Sequence, residues 1–262
     1  MICKICNAQA NPIYRGKILN KYEIQYFYCS SCNFMQTEEP YWLEEAYSEA
    51  ISISDTGVMA RNNSFAETAG ILLSLLCDRK QRFLDYGGGY GIFTRLMRDR
   101  GFDFYWYDKY AQNLVARGFE GDIKNSRYSA VTSFENFEHF YNPIEDIETI
   151  FNLTDIVLFS TDLLPEPVPS PSEWWYYCLE HGQHISLYSR KSLEFIGKKY
   201  GYFFVSNNVN LHIFSRKRIP QKIFLLQKII RRFGISSLFR DGSKTISDMN
   251  EMILEMSKMG KR

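Results

Sequence analysis

The chain has 262 residues, a formal net charge of +1 and 45% apolar residues, enough for one full α/β domain and a small accessory module. No stretch resembles a signal peptide and no apolar run approaches about 18 residues, so the expectation is a soluble cytoplasmic protein with no membrane-spanning helix. The near-neutral charge conceals an asymmetry: from Arg216 onward twelve Lys or Arg face four Asp or Glu, a net of +8, and the preceding residues carry −7.

Taken in order, the chain first presents Cys3-x-x-Cys6 and Cys29-x-x-Cys32, two knuckles separated by a stretch that alternates as a hairpin would. Two such pairs supply four thiolates, Cys3, Cys6, Cys29 and Cys32, for a tetrahedral zinc site, iron being the next metal for such a set. A module of 1–40 is too short to bury a core of its own, so the metal would substitute for burial. Cys77 and Cys178 lack such partners and read as small apolar residues. Residues 41–60 form a linker in which Tyr41 to Tyr47 predicts a short helix. Its aromatics Tyr41, Trp42 and Tyr47 either dock the ribbon or contribute to a lid.

Phe65, Ala69, Leu72, Leu73 and Leu76 recur at helical spacing and predict a helix over 63–80. Phe83-Leu84-Asp85-Tyr86 then runs into Gly87-Gly88-Gly89-Tyr90-Gly91 and the amphipathic Ile92 to Met97, which reads as strand, tight turn and helix. The next apolar stretch, Phe104 to Tyr107, ends in Asp108, about 20 residues beyond the turn, where a second-strand acid meets ribose hydroxyls. Helix over 111–117, strand over 130–134, helix over 144–151 and strand over 156–160 continue the alternation, which argues for a mainly parallel sheet with helices on both faces. The segment 118–127 is short and polar and leaves the third strand hard to place.

Between Leu164 and Ser172 four prolines at alternate positions, Pro165, Pro167, Pro169 and Pro171, forbid helix and lead into Trp174-Trp175-Tyr176-Tyr177. Such a loop beyond a strand end reads either as part of an acceptor pocket or as a rigid spacer. His181 and His184 follow; a histidine here either accepts a proton from an acceptor or hydrogen-bonds loop backbone. A helix over 191–200 ending at Gly201 and two antiparallel closing strands, 203–205 and 211–214, complete the domain. In the tail, Ile223, Leu226, Ile230 and Phe233 share one face of a basic amphipathic helix, suited to an anionic membrane surface, to an anionic acceptor, or to packing on the domain or a second subunit.

Asp85-x-Gly87-x-Gly89-x-Gly91 with Asp108 resembles motifs I and II of class I S-adenosylmethionine-dependent methyltransferases. Val131 to Pro143, with its Glu138-His139 pair, is similar to the fourth-strand segment of the same superfamily. The resemblance implies a Rossmann-like seven-stranded domain over 61–216, an N-terminal zinc-ribbon module, and a basic helical tail over 217–262. It also implies that Asp85, Tyr86, Gly87, Gly88, Gly89 and Gly91 hold the amino-acid end of S-adenosylmethionine, that Asp108 binds the ribose with Lys109 beside it, and that Phe134 and Glu135 flank the adenine or methionine side. The block 181–203 behind a four-cysteine module looks like sugar C-methyltransferases, although Gln183-His184 stands where that family has Glu-His. The implied function is methylation of a small-molecule acceptor, a sugar or glycan precursor, with His184 and His181 as candidate bases. RNA methylation, which the acidic main domain argues against, and a non-catalytic cofactor- and zinc-binding partner subunit are the alternatives. A homodimer is compatible with either.

Overall fold

The computed structural model describes residues 1–47, 54–235 and 242–259. Part of the expected linker, 48–53, and parts of the expected tail, 236–241 and 260–262, lie outside the described residues. Along the chain run β1 (Asn11–Ile18), β2 (Tyr22–Cys29), β3 (Phe34–Thr37), α1 (Leu43–Ala46), α2 (Val58–Leu76), β4 (Arg82–Tyr86), α3 (Ile92–Asp99), β5 (Asp103–Tyr107) and β6 (Ala130–Ser133). They are followed by α4 (Pro143–Leu153), β7 (Ile156–Ser160), β8 (Ser186–Leu187), α5 (Arg190–Tyr200), β9 (Phe203–Ser206), β10 (Leu211–Ser215), α6 (Ile223–Arg232) and α7 (Thr245–Met259). The chain divides into two compact units, Met1–Asp55 with Ser133–Gln221, and Thr56–Thr132 with Lys222–Arg262.

The second of these units holds the glycine turn. Its strands lie in the order β5-β4-β6, all parallel, with Leu84 opposite both Tyr105 and Val131. Phe83 stacks on Phe104 at 5.3 Å, and Phe102 meets Phe83 edge-on. α2 begins earlier than its periodicity predicts and stops at Cys77, whose backbone is extended. The Asp78 carboxylate accepts the Lys80 amide there, a local turn that competes with further helix.

The helix expected over 111–117 does not form. Its backbone donors go elsewhere: Ala111 N–H bonds to Asp108 Oδ1, Leu114 and Val115 N–H to the Tyr90 carbonyl, and Ala116 N–H to Asn113 Oδ1. The expected third strand contracts to a single parallel bridge between Trp106 and Glu120, because the Asp122 side chain turns the chain back by accepting the Lys124 and Asn125 amides. Each unit thus supplies three strands of the α/β architecture among the described residues, six rather than the expected seven.

α6 packs on α2 and buries Ile223, Phe224, Gln227 and Ile230. Leu226 and Phe233, expected on the buried face, are exposed instead. Arg231 pairs with Glu67 of α2 at 2.9 Å. α7 is tied down by Arg98, which makes a bidentate bond to Asp248 at 2.7 and 2.8 Å, donates to Asp103 and the Phe104 carbonyl, and lies 3.6 Å from the Phe119 ring centroid.

The other unit contains the cysteine module. β1, β2, β3 and β8 form an antiparallel sheet in that order, and the two-residue β8 joins it by pairing Met35 with Leu187 and Gln36 with Ser186. The module therefore shares a core. Ile18, Ile24, Tyr26, Met35 and Trp42 pack with Leu164, Tyr176, Tyr177, Ile185 and Leu187. The buried Trp42 donates Nε1–H to the Gly182 carbonyl, so this aromatic of the linker docks. In the same unit β10 lies antiparallel between β7 and β9, as the two closing strands predict for their own pairing. α5 starts in a capping box between Ser189 and Ser192 and ends on Gly201 at φ 73°. No helix among the described residues is long and apolar enough to cross a membrane.

Candidate active site

One residue before the end of β4 stands the Asp85 carboxylate, only 2% exposed. Its oxygens accept hydrogen bonds from Thr94 Oγ1 at 3.0 Å and Thr132 Oγ1 at 3.2 Å. No Lys or Arg pairs with it among the described residues, and burial, reinforced by the Asp108 charge, pushes its pKa up to about 7 against the two threonine bonds. The turn that follows has Gly87, Gly89 and Gly91 at positive φ, a conformation that side chains strain to adopt. A Cβ on Gly88 would stand 2.7 Å from the Trp106 ring and 2.8 Å from Asp85, whereas over Gly89 the space is open for 4 Å.

Asp108, at the end of β5, holds this turn. Its Oδ2 accepts the Gly89 amide at 2.9 Å, its Oδ1 accepts the Tyr110 and Ala111 amides, and Trp106 Nε1 donates to the Gly89 carbonyl at 2.9 Å. A carboxylate has about four acceptor positions, so one remains for a hydroxyl. A buried acid without a cation, an open glycine and a spare acceptor position on Asp108 suit the amino group and ribose of S-adenosylmethionine. Of the other expected cofactor residues, Tyr86 is buried against Tyr107, and Lys109 is exposed, its Nζ 5.2 Å from the Tyr110 ring centroid. Phe134 and Glu135 belong to the other unit. There Glu135 sits at φ 50°, with its amide donating to Ser160 Oγ and its carboxylate accepting from the same hydroxyl.

In that unit His184 gathers with two residues to which sequence reasoning gave no role. One ligating atom each from Glu138, His139 and His184 lies within 4.8 Å of the others. His184 Nδ1 is 2.7 Å from the Tyr176 carbonyl; a carbonyl only accepts, so Nδ1 carries the proton and Nε2 the lone pair. Burial pushes the His184 pKa down to about 4, against the opposing effect of that bond. His139 Nδ1 meets Tyr47 Oη at 2.7 Å, its Nε2 is 4.0 Å from Glu138 Oε1, and burial with the nearby histidines lowers its pKa well below the usual range. Glu138 is fully buried with no hydrogen-bond partner on either oxygen. Burial, then the Glu135 charge, drive its pKa well up; the Tyr176 and Thr161 hydroxyls ease this, though neither reaches hydrogen-bond geometry with it.

His181 is not a member of this set, its Nε2 2.9 Å from Ser54 Oγ, although its charge acts on both His139 and His184. The Glu138-His139 pair was visible in the sequence. What sets it apart in the structure is the burial of an acid in an aromatic run, Phe134 to Phe140.

The four knuckle cysteines also converge, all sulfurs within 4.8 Å. Cys3 and Cys32 are 3.6 Å apart, and Cys6 and Cys29 3.5 Å, too far for disulfides and close to the edge of about 3.8 Å that four Zn–S bonds of about 2.3 Å would give a tetrahedron. Asn7 and Asn33 take positive φ to turn the two knuckles.

A profile of the methyltransferase-domain family matches residues 60–207, more than half of the chain. The chain belongs to that family. The match spans the glycine turn, Asp108 and the Glu138, His139 and His184 cluster. No curated protein sequence matches this methyltransferase-domain chain. Among solved structures, TnmH superimposes with a TM-score of 0.50 at 14% identity, over 68% of this chain and 62% of that one, a likeness of fold. CalO1, a methyltransferase in calicheamicin biosynthesis in its SAH-bound form, gives a TM-score of 0.44 at 14% identity over 68% and 60%. Magnesium protoporphyrin IX methyltransferase from Synechocystis PCC 6803, with bound SAH, gives 0.43 at 13% identity over 66% and 90%. The chain spans less than two thirds of the length of TnmH and CalO1.

Proposed function

We propose that this protein transfers a methyl group from S-adenosylmethionine to a small-molecule acceptor, a sugar or glycan precursor, and that its four-cysteine module holds a structural zinc ion. The observation that carries the reading is the glycine turn closed by Asp85 and Asp108 within a methyltransferase domain. When bound, S-adenosylmethionine supplies a methyl on a sulfonium sulfur; the acceptor forms the new bond to that carbon, the C–S bond breaks, and sulfur keeps the electron pair as S-adenosylhomocysteine. The chain's own contribution is position and charge. Asp85 would meet the cationic amino group and so recover, as an ion pair, the charge that burial disfavours. Asp108 would receive a ribose hydroxyl in its remaining acceptor position while fixing the turn through Gly89. Direct displacement needs alignment and exclusion of water more than covalent help.

His184 offers a lone pair at Nε2, the form a general base needs, although burial makes it a weak one. Sugar specificity rests on the likeness of the block 181–203 and the cysteine module to sugar C-methyltransferases. Calorimetric titration with S-adenosylmethionine and S-adenosylhomocysteine tests the cofactor. Micromolar binding that Asp108→Ala abolishes is expected, after which methyl transfer is assayed on sugar nucleotides. No heat with either ligand would overturn the reading.

A further inference from the structure

Glu138 poses a problem that the cofactor cradle does not solve. A fully buried carboxyl group with neither oxygen hydrogen-bonded is a costly arrangement, and it carries no Lys or Arg partner among the described residues. What faces it is a pair of imidazoles. His184 presents the Nε2 lone pair because Nδ1–H is held by the Tyr176 carbonyl at 2.7 Å. His139 has Nδ1 held by Tyr47 Oη at 2.7 Å, which leaves Nε2, 4.0 Å from Glu138, as the free nitrogen. In each histidine one ring nitrogen is held by an outer partner and the other remains for a ligand, the arrangement by which proteins orient metal-ligating imidazoles.

We propose that Glu138, His139 and His184 form a second metal site, which takes a divalent first-row transition ion and presents its open coordination positions to an oxygen of the acceptor; the His184 Nε2 lone pair then serves the metal in place of a proton. One carboxylate with two imidazoles is a mixed N/O donor set suited to Zn²⁺, Fe²⁺ or Co²⁺, and three protein ligands leave room for water or substrate. With metal–ligand bonds of about 2.1 Å, neighbouring donors stand roughly 3 to 3.5 Å apart, so a set already within 4.8 Å closes by about an ångström. The surroundings favour a cation. Burial and the Glu135 charge push the Asp162 carboxyl up to about 6, and the Glu135 charge acts on Glu138 as well. The four cysteines make a separate and softer site. The assignment of an acceptor oxygen rests on the proposed methyl transfer; the metal site itself does not.

The test uses the full chain, zinc-loaded and with its tightly bound zinc counted, and Co²⁺ alone as probe, followed by visible absorption and by equilibrium dialysis in the absence of S-adenosylmethionine. One Co²⁺ per chain beyond the zinc is expected, with the weak bands of an N/O site and no thiolate charge transfer. Glu138→Gln and His184→Ala should each weaken it by on the order of 100-fold or more, while a Glu194→Gln control, an exposed acid on α5, binds as the native chain does. The unfolding midpoint of each variant shows whether it is folded; native Co²⁺ affinity in a folded Glu138→Gln or His184→Ala chain would overturn the site. So would a native chain that holds a single zinc ion and takes up no Co²⁺ beyond it, a result that would leave S-adenosylmethionine binding and the cofactor reading untouched.

Discussion

Replacing Asp85 by Asn separates what the residue does for folding from what it does for the cofactor. Burial raises the Asp85 pKa from 3.8 to about 7, and each tenfold change in proton affinity is worth about 1.4 kcal/mol. Because the folded protein binds the proton more tightly than the unfolded one, the native stability falls as pH rises from about 4 to about 7 and stays low above that. The ionised carboxylate thus costs about 4 kcal/mol at pH 8. Asparagine removes that charge and disturbs the bonds from Thr94 and Thr132, at about 1 kcal/mol. The variant should therefore be more stable than the native chain by about 3 kcal/mol at pH 8, and by less than about 1 kcal/mol at pH 5, where the native carboxyl is already largely protonated. Thermal denaturation at the two pH values reads the difference, at about 2 to 4 °C per kcal/mol. Calorimetry on the same samples should show S-adenosylmethionine binding at least tenfold weaker, through the lost charged contact. A variant less stable at pH 8, or one whose gain is the same at both pH values, would refute the claim that Asp85 is buried without a cation.

Gly88→Ala should destabilise by about 1 to 3 kcal/mol, because the new methyl stands 2.7 Å from the Trp106 ring; a shifted tryptophan emission would report loss of the bond from Trp106 to Gly89. Asp248→Ala leaves Arg98 buried without its bidentate partner and should lower stability by about 3 kcal/mol or more in a urea melt, with the double change Arg98→Met, Asp248→Leu recovering much of it. Blocking the thiols under a strong chelator should release one zinc ion per chain and, because β8 pairs with β3, should also alter the near-ultraviolet dichroism of the Tyr26, Trp42 and Tyr177 core. An unchanged spectrum on zinc release would separate the metal from that sheet.

The glycine turn was legible because its physics is local: positive φ at positions 87, 89 and 91 needs glycine, and an acid at each strand end follows from the pattern. The cysteine set was legible for the same reason, as a spacing. The Glu138, His139 and His184 cluster was not. Its third member stands 45 residues further along the chain than His139, and which imidazole nitrogen is free depends on the Tyr176 carbonyl and Tyr47 hydroxyl, neither of which has a sequence signature. β8 is too short for any periodicity, and the missing strand at Glu120 failed because the Asp122 turn outcompeted a polar segment's weak preference for extension. The buried face of α6 shifted from Leu226 and Phe233 to Phe224 and Gln227 for a similar reason: α2, not the helix's own pattern, chose the side.

The two units interleave along the chain, one taking 1–55 and 133–221, the other 56–132 and 222–262. Neither can be expressed as a contiguous fragment. Synthesis on the ribosome meets the same constraint: the ribbon's last strand, β8, emerges about 150 residues after β3, and the unit bearing the glycine turn waits for α6 and Asp248 at the far end. Early cleavage at Gln221 would spare every motif yet leave Arg98 and the inner face of α2 uncovered, so folding of the unit that carries the glycine turn depends on α6 and on Asp248.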